Sequence, residues 1–166
     1  TDSGNSFIKE VNYLSGEEKI ANFDNRESIP SAYPSAFILN ETRYLLFSTS
    51  RSFSLYKFID SNQDKSYFKS TNEWDFSNIK NYMDSLGGRA WLNSPDFNKT
   101  LNKLYFTIRR WVVNPDKGDY VEVKIYESTL TNGVFSIPKE VEGEIDPYNG
   151  VHYKNGENHI PDDFPD

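Results

Sequence analysis

Apolar and polar residues alternate with a period of two over several short stretches of this chain, and with a helical period over one. Period two marks a half-buried strand, because successive side chains of an extended backbone point to opposite faces. The cleanest case is Val121 to Ser128, where Val121, Val123 and Ile125 alternate with Glu122, Lys124 and Tyr126. Ser52 to Ile59 places Phe53, Leu55 and Lys57 on one face and Tyr56 and Phe58 on the other. Further strands are predicted at Ser35 to Leu39, at Tyr44 to Thr49, near Tyr67-Phe68, and over FIKEVNYL with Phe7, Val11 and Leu14 as its apolar members. Polar turns separate them: Asn40-Glu41-Thr42-Arg43, and Thr131-Asn132-Gly133, which returns the chain into Val134 to Ile137. Glu17 to Ser31 reads as a loop with one buried anchor, Ile20 or Phe23. Trp74, Ile79, Met83 and Leu86 fall near helical spacing. A helix is therefore predicted over Phe76 to Leu86, with Asp75 as its N-cap and Gly87-Gly88 as its left-handed stop.

Two stretches repeat one another. Aligning Phe37 with Phe97 sets Leu45-Leu46-Phe47-Ser48 against Leu104-Tyr105-Phe106-Thr107, Arg51 against Arg110, and Leu55-Tyr56 against Ile125-Tyr126. A period of about sixty residues carrying a hairpin and further strands is the mark of stacked small sheets, each burying its face on the next. The chain then divides into an N-terminal strand and loop (1–32), a first repeat (33–73), an inserted helix and Gly-Gly turn (74–90), a second repeat (91–140) and an acidic tail (141–166) expected to hold little regular structure.

The residues of the two copies resemble the TolB-like, WD-repeat-like β-propeller blades of bacterial envelope proteins. The likeness rests on Pro34, Phe37, Tyr44 to Phe47, Ser50-Arg51 and Leu55-Tyr56, and again on Pro95, Phe97, Leu104 to Phe106, Arg110 and Ile125-Tyr126, about half the chain. It implies an all-β fold of two blade-like antiparallel sheets with one short inserted helix, belonging to a partial or shared propeller, since a closed ring takes roughly four to eight blades. The function it implies is that of a non-enzymatic binding or scaffold protein of a bacterial envelope or surface, working in a larger assembly with a protein partner.

Composition narrows the alternatives. A net charge of −7, with no run of Lys and Arg, counts against a nucleic-acid partner, because phosphate binding needs a concentrated basic face. Eleven Tyr and twelve Phe favour strands. No apolar run approaches the roughly 20 residues of a membrane helix, so no span is expected. The small polar opening TDSGNS is like the tether of a processed lipoprotein, which makes an extracytoplasmic location the expectation.

Candidate chemistry is sparse. Asp60, Asn62 and Asp64 have the first three ligand positions of an EF-hand loop, but Lys65 and Thr71 stand where that loop needs Gly and Glu; a solvated turn is the better reading. Arg43, Ser48-Thr49-Ser50, Glu142 and Glu144 form a weak counterpart of the arginine, Ser-Thr-Ser and Glu-x-Glu set of ADP-ribosyltransferase toxins, with the Arg too close to the serines. His152 and His159 lack the close spacing of a zinc helix, so no metal and no cofactor is implied. The binding candidates are Arg109 and Trp111 at the head of the long second-copy loop, Trp111 to Tyr120, with Tyr120 at its far end; Arg110 is assigned a corner contact like that of Arg51. Guanidinium beside aromatics suits carboxylate, sugar or peptide recognition, which leaves a carbohydrate-binding β-sandwich or a sugar-active propeller as the alternative.

Overall fold

The computed structural model describes residues 8–11, 14–24, 34–113, 115–116 and 118–141, together with the backbone of 153–154 and 157–158. In chain order the elements are β1 (Lys9–Val11), β2 (Glu18–Phe23), β3 (Ser35–Leu39), β4 (Thr42–Ser48), β5 (Phe53–Ser61), β6 (Lys65–Thr71), α1 (Ser77–Ser85), β7 (Ala90–Asn98), β8 (Lys103–Val112), β9 (Tyr120–Thr131), β10 (Val134–Phe135), β11 (Lys139–Glu140), β12 (Tyr153–Lys154) and β13 (Glu157–Asn158). The described residues are thus mostly β with one short helix, and that helix is neither long nor apolar enough to cross a membrane.

Two sheets carry the fold. The first runs β1-β2-β6-β5-β4-β3, the second β10-β9-β8-β7 with β11 also paired to β9. Strands β3 to β6 form an antiparallel meander, and so do β7 to β10. Phe37 and Phe97 each lie on the first strand of a hairpin, opposite Tyr44 and Leu104, but the alignment does not carry further: Leu45 and Phe47 face a different core from Leu104 and Phe106, with which they align. The rings of Phe37 and Phe97 meet across the core, 5.0 Å between centroids.

The main core lies between the sheets. It gathers Tyr44 and Leu46 of β4, Phe53 and Leu55 of β5, Leu92 and Phe97 of β7, Leu104, Phe106 and Ile108 of β8, and Phe135 of β10. Trp74 and Phe76, with Ile79 and Met83 of the helix, close one side. The first sheet curls into a half-barrel, and its other face holds a second cluster of Ala21, Phe23, Leu45, Phe47, Tyr56 and Phe68. Both faces of β4 are therefore apolar, which is why Tyr44 to Phe47 reads as a continuous hydrophobic run.

Several expectations change. The predicted loop from Glu17 contains β2, parallel to β6, and Phe23 is the buried anchor while Ile20 is 39% exposed. That strand also joins the N-terminal piece to the first sheet. In β1 the phase is inverted: Val11 and Leu14 are exposed, and Ile8 packs inward on the second cluster. Phe7 lies outside the described residues. The first turn is only Asn40-Glu41, both at positive φ (48° and 64°), so Thr42 and Arg43 belong to β4. The helix cap position is Phe76; Asp75 Oδ1 accepts the Ser77 N–H at 2.8 Å from one residue further out. Gly87, at φ 79°, stops the helix. Trp111 and Val112 belong to β8 and Tyr120 to β9, which reduces the long loop to residues 113–119. The tail beyond 141 was expected to be irregular, yet β12 and β13 pair within it.

Candidate functional site

Strands β8 and β9 run beyond the start of β7. The ladder between β7 and β8 begins at Ala90 opposite Arg110, and one further bond, Trp111 N–H to Arg89 C=O at 2.8 Å, carries the same register to Arg89 opposite Trp111. Past that point the end of the β8–β9 hairpin carries one further pair, Val112 opposite Tyr120. Its large side chains meet solvent: Trp111 is 40% exposed, Val113 56% and Tyr120 39%.

The register sorts the three predicted binding residues. Arg109 and Trp111 are two residues apart on β8 and share the outer face of the second sheet, whereas Tyr120, opposite Val112, lies on the other face. The structure thus brings Arg109 and Trp111 together and leaves Tyr120 apart. The Trp111 indole donates to Asp119 Oδ2 at 3.1 Å, which holds the ring from the loop residue just before β9. Arg110 makes no corner contact: it sits inside β8, opposite Ala90 and Glu122. Arg51, its partner in the sequence alignment, is in the turn after β4 and donates from Nη1 to the Met83 carbonyl at 2.6 Å, at the helix C-terminus. The extra length of β8 turns an equivalent sequence position into a strand residue.

Two residues not anticipated complete this face. Trp91 lies directly opposite Arg109, and Arg89 opposite Trp111. The outer face therefore carries a checkerboard of two arginines and two tryptophans. Trp91 reaches it because of a bulge between Asn93 and Asp96, where Ser94 takes φ 48°. Below the bulge Phe97 faces the core; above it the phase is reversed, so Leu92 faces the core and Trp91 faces out. Among the described residues none of Arg89, Arg109 and Arg110 has an ion pair.

No family model, curated protein or solved structure matches the chain.

The remaining candidate sites are occupied by internal contacts. A cleft of about 280 Å³ at the mouth of the half-barrel is lined by Glu10, Glu17, Lys19, Arg43 and Ser66 among others. Glu10 there accepts from both Arg43 and Ser66, Lys19 pairs with Glu17 at 3.5 Å, and the Arg43 guanidinium lies 3.6 Å over the Phe58 ring. Arg43 is thus engaged away from Ser48, which is 1% exposed. Glu142, Glu144, His152 and His159 lie outside the described residues. In the EF-hand-like stretch, Asn62 Oδ1 accepts the N–H groups of Asp64 and Lys65 at 3.1 and 2.8 Å, a side-chain-closed turn between β5 and β6. Among the described residues no three His, Cys, Asp or Glu side chains converge as metal ligands.

The perturbed titrations follow the same pattern of stitching between strands. Hydrogen bonds from Lys57 and Tyr44, at 2.8 Å each, hold the Glu73 carboxyl below the usual carboxylate range, and the same Glu73 contact raises Lys57. Glu127 raises Lys103, and Glu140 raises Lys124. Burial raises the Tyr126 phenol well above its ordinary value, with the Tyr82 contact adding to it.

Proposed function

We propose that this chain is a non-enzymatic binding or scaffold module of a bacterial envelope or surface, with its meanders serving as blade-like units of a larger assembly. The observation that carries this reading is the end of the β8–β9 hairpin, where Trp111, Tyr120 and the adjoining Val113 are exposed beside arginines without ion pairs. Burying such side chains against water is favourable only when something covers them, and exposed aromatics beside arginine are the composition of binding hot spots. The two face-packed meanders supply a rigid base, since a core shared between two sheets fixes the hairpin's root.

Replacing residues 113–119 by an Asn-Gly turn tests the reading. The shortened protein should fold cooperatively, with stability changed by no more than ~1–2 kcal/mol. Intact protein should co-sediment with isolated bacterial envelopes, and the shortened protein should remain in the supernatant. Equal sedimentation of both, or none by the intact protein, defeats the proposal.

A further inference from the structure

We propose that the outer face of the second sheet binds an anionic glycan, specifically a chain of uronic acids, through the square of Arg89, Trp91, Arg109 and Trp111. This rests on the binding-module reading and names the ligand class.

The geometry comes from the register. Directly opposed side chains on neighbouring strands have Cβ atoms ~5 Å apart, and residues two apart on one strand are separated by ~7 Å. By backbone register Trp91 lies opposite Arg109 and Trp111 opposite Arg89, which puts the two indoles on diagonal positions. The same face continues along β8 through Thr107 to the half-buried Tyr105, which makes a track ~20 Å long from Tyr105 to Trp111. A sheet face with aromatic rings along its length is open to a linear chain.

The chemistry of the square selects the occupant. An indole offers an apolar ring face, suited to the C–H face of a pyranose. A guanidinium offers a planar fork suited to carboxylate. Each uronate unit presents both surfaces, so the alternation of ring and carboxylate along the glycan answers the alternation of Trp and Arg. Charge complementarity supports it: Arg89 and Arg109 have no ion pair among the described residues, and the carboxylate that touches the square, Asp119, is engaged by the Trp111 indole. An acidic peptide fits less well. Peptides added to a sheet need free backbone groups at its edge, and here the Leu92 N–H on the edge strand β7 is directed to the Ser50 carbonyl at 3.4 Å.

Intact protein should be titrated with a short oligogalacturonate, a neutral cello-oligosaccharide of equal length, and poly-glutamate, following tryptophan emission and binding heat at low and high salt. Oligogalacturonate should bind, shift the emission and weaken as salt rises, while the other two bind at least ~10-fold more weakly, the scale of one charge-assisted hydrogen bond. Arg109→Ala and Trp111→Ala should each weaken binding by ~10-fold or more, and Arg109→Lys should fail to restore it because ammonium lacks the fork. Circular dichroism and urea unfolding of each variant establish that it is folded. Absence of oligogalacturonate binding, equal affinity for the neutral glycan, tighter binding of poly-glutamate, or indifference to Arg109→Ala each overturns the assignment. Loop-dependent sedimentation with envelopes alongside any of these results retains the binding module and removes only the glycan.

Discussion

Phe135 is the most informative side chain to remove. It belongs to a strand of two residues at the end of the second meander, yet it is fully buried. Its ring stacks on Phe76 at 5.0 Å and meets the edges of Trp74 at 5.5 Å and Phe97 at 6.4 Å. The backbone around it is latched: Phe135 N–H donates to Asp75 C=O at 3.0 Å, Asp75 N–H to Gly133 C=O at 2.7 Å, and the Asn78 side-chain amide to the Phe135 carbonyl at 2.8 Å. None of these bonds involves the ring, so Phe135→Ala removes packing and leaves the latch. A fully buried Phe cut to Ala costs ~3–5 kcal/mol. With a urea m-value of ~2 kcal/mol/M, the unfolding midpoint should fall by ~2 M. Phe135→Leu, which keeps most of the volume, should lose less than half as much, and Val134→Ala, at a position 41% exposed, should stay within ~0.5 kcal/mol. Equilibrium urea unfolding followed by tryptophan emission measures all three. A loss below ~1.5 kcal/mol for Phe135→Ala refutes the claim that the helix, the Trp74 segment and the second sheet share one core.

Glu73→Gln tests the link between β4, β5 and the segment after β6. Its carboxyl is held below the ordinary range by Lys57 and Tyr44, so the charged form stabilises the fold above the unfolded carboxylate value of ~4.3, and this is lost as pH falls through the lower folded value. Wild-type protein should be more stable than the variant at neutral pH, with the gap closing in acid; a gap that widens in acid refutes the assignment. Gly133→Ala tests the Asn132-Gly133 turn: Gly133 sits at φ 81°, and an added Cβ would lie 3.2 Å from the Glu73 carbonyl oxygen. A loss of ~1–2 kcal/mol is expected, read as a fall of several degrees in the melting temperature.

What the sequence revealed of the fold was what neighbouring residues decide together. Val121 to Ser128 forms a strand as its alternation indicates, although the face turned to the core is that of Tyr126 and Ser128 and not that of Val121, Val123 and Ile125, and the Asn132-Gly133 turn is named by its own residues. The parallel pairing of β2 with β6 was hidden for the opposite reason. Ala21 and Phe23 are buried only because Ser66 and Phe68 arrive beside them from more than forty residues away, and six residues beginning Glu-Lys show no alternation strong enough to announce that. The turn after β3 was legible from its polar residues but not its shortness, because the positive φ values of Asn40 and Glu41 are borne by residues that are not glycine.

Half of the checkerboard was visible in the same way. Arg109 and Trp111 are legible as a pair two residues apart, but their shared face follows from period two only because β8 runs on through Trp111, where the sequence suggests the head of a loop. Trp91 does not follow. Counting back from Phe97 opposite Leu104 without interruption would set Trp91 opposite Arg110 and turn it into the core. One additional residue at the bulge moves it opposite Arg109 and turns it out. The signal available was Ser94-Pro95 in the middle of the strand, because proline removes a ladder donor and is confined to edges and bulges. Pro95 is buried beside Ser94 at positive φ, and that irregularity places the second tryptophan on the face whose first tryptophan and arginine were already legible. A bulge that re-aims a side chain is a device found beside binding sites. It sets Trp91 and Arg109 together at a register regular pairing would forbid.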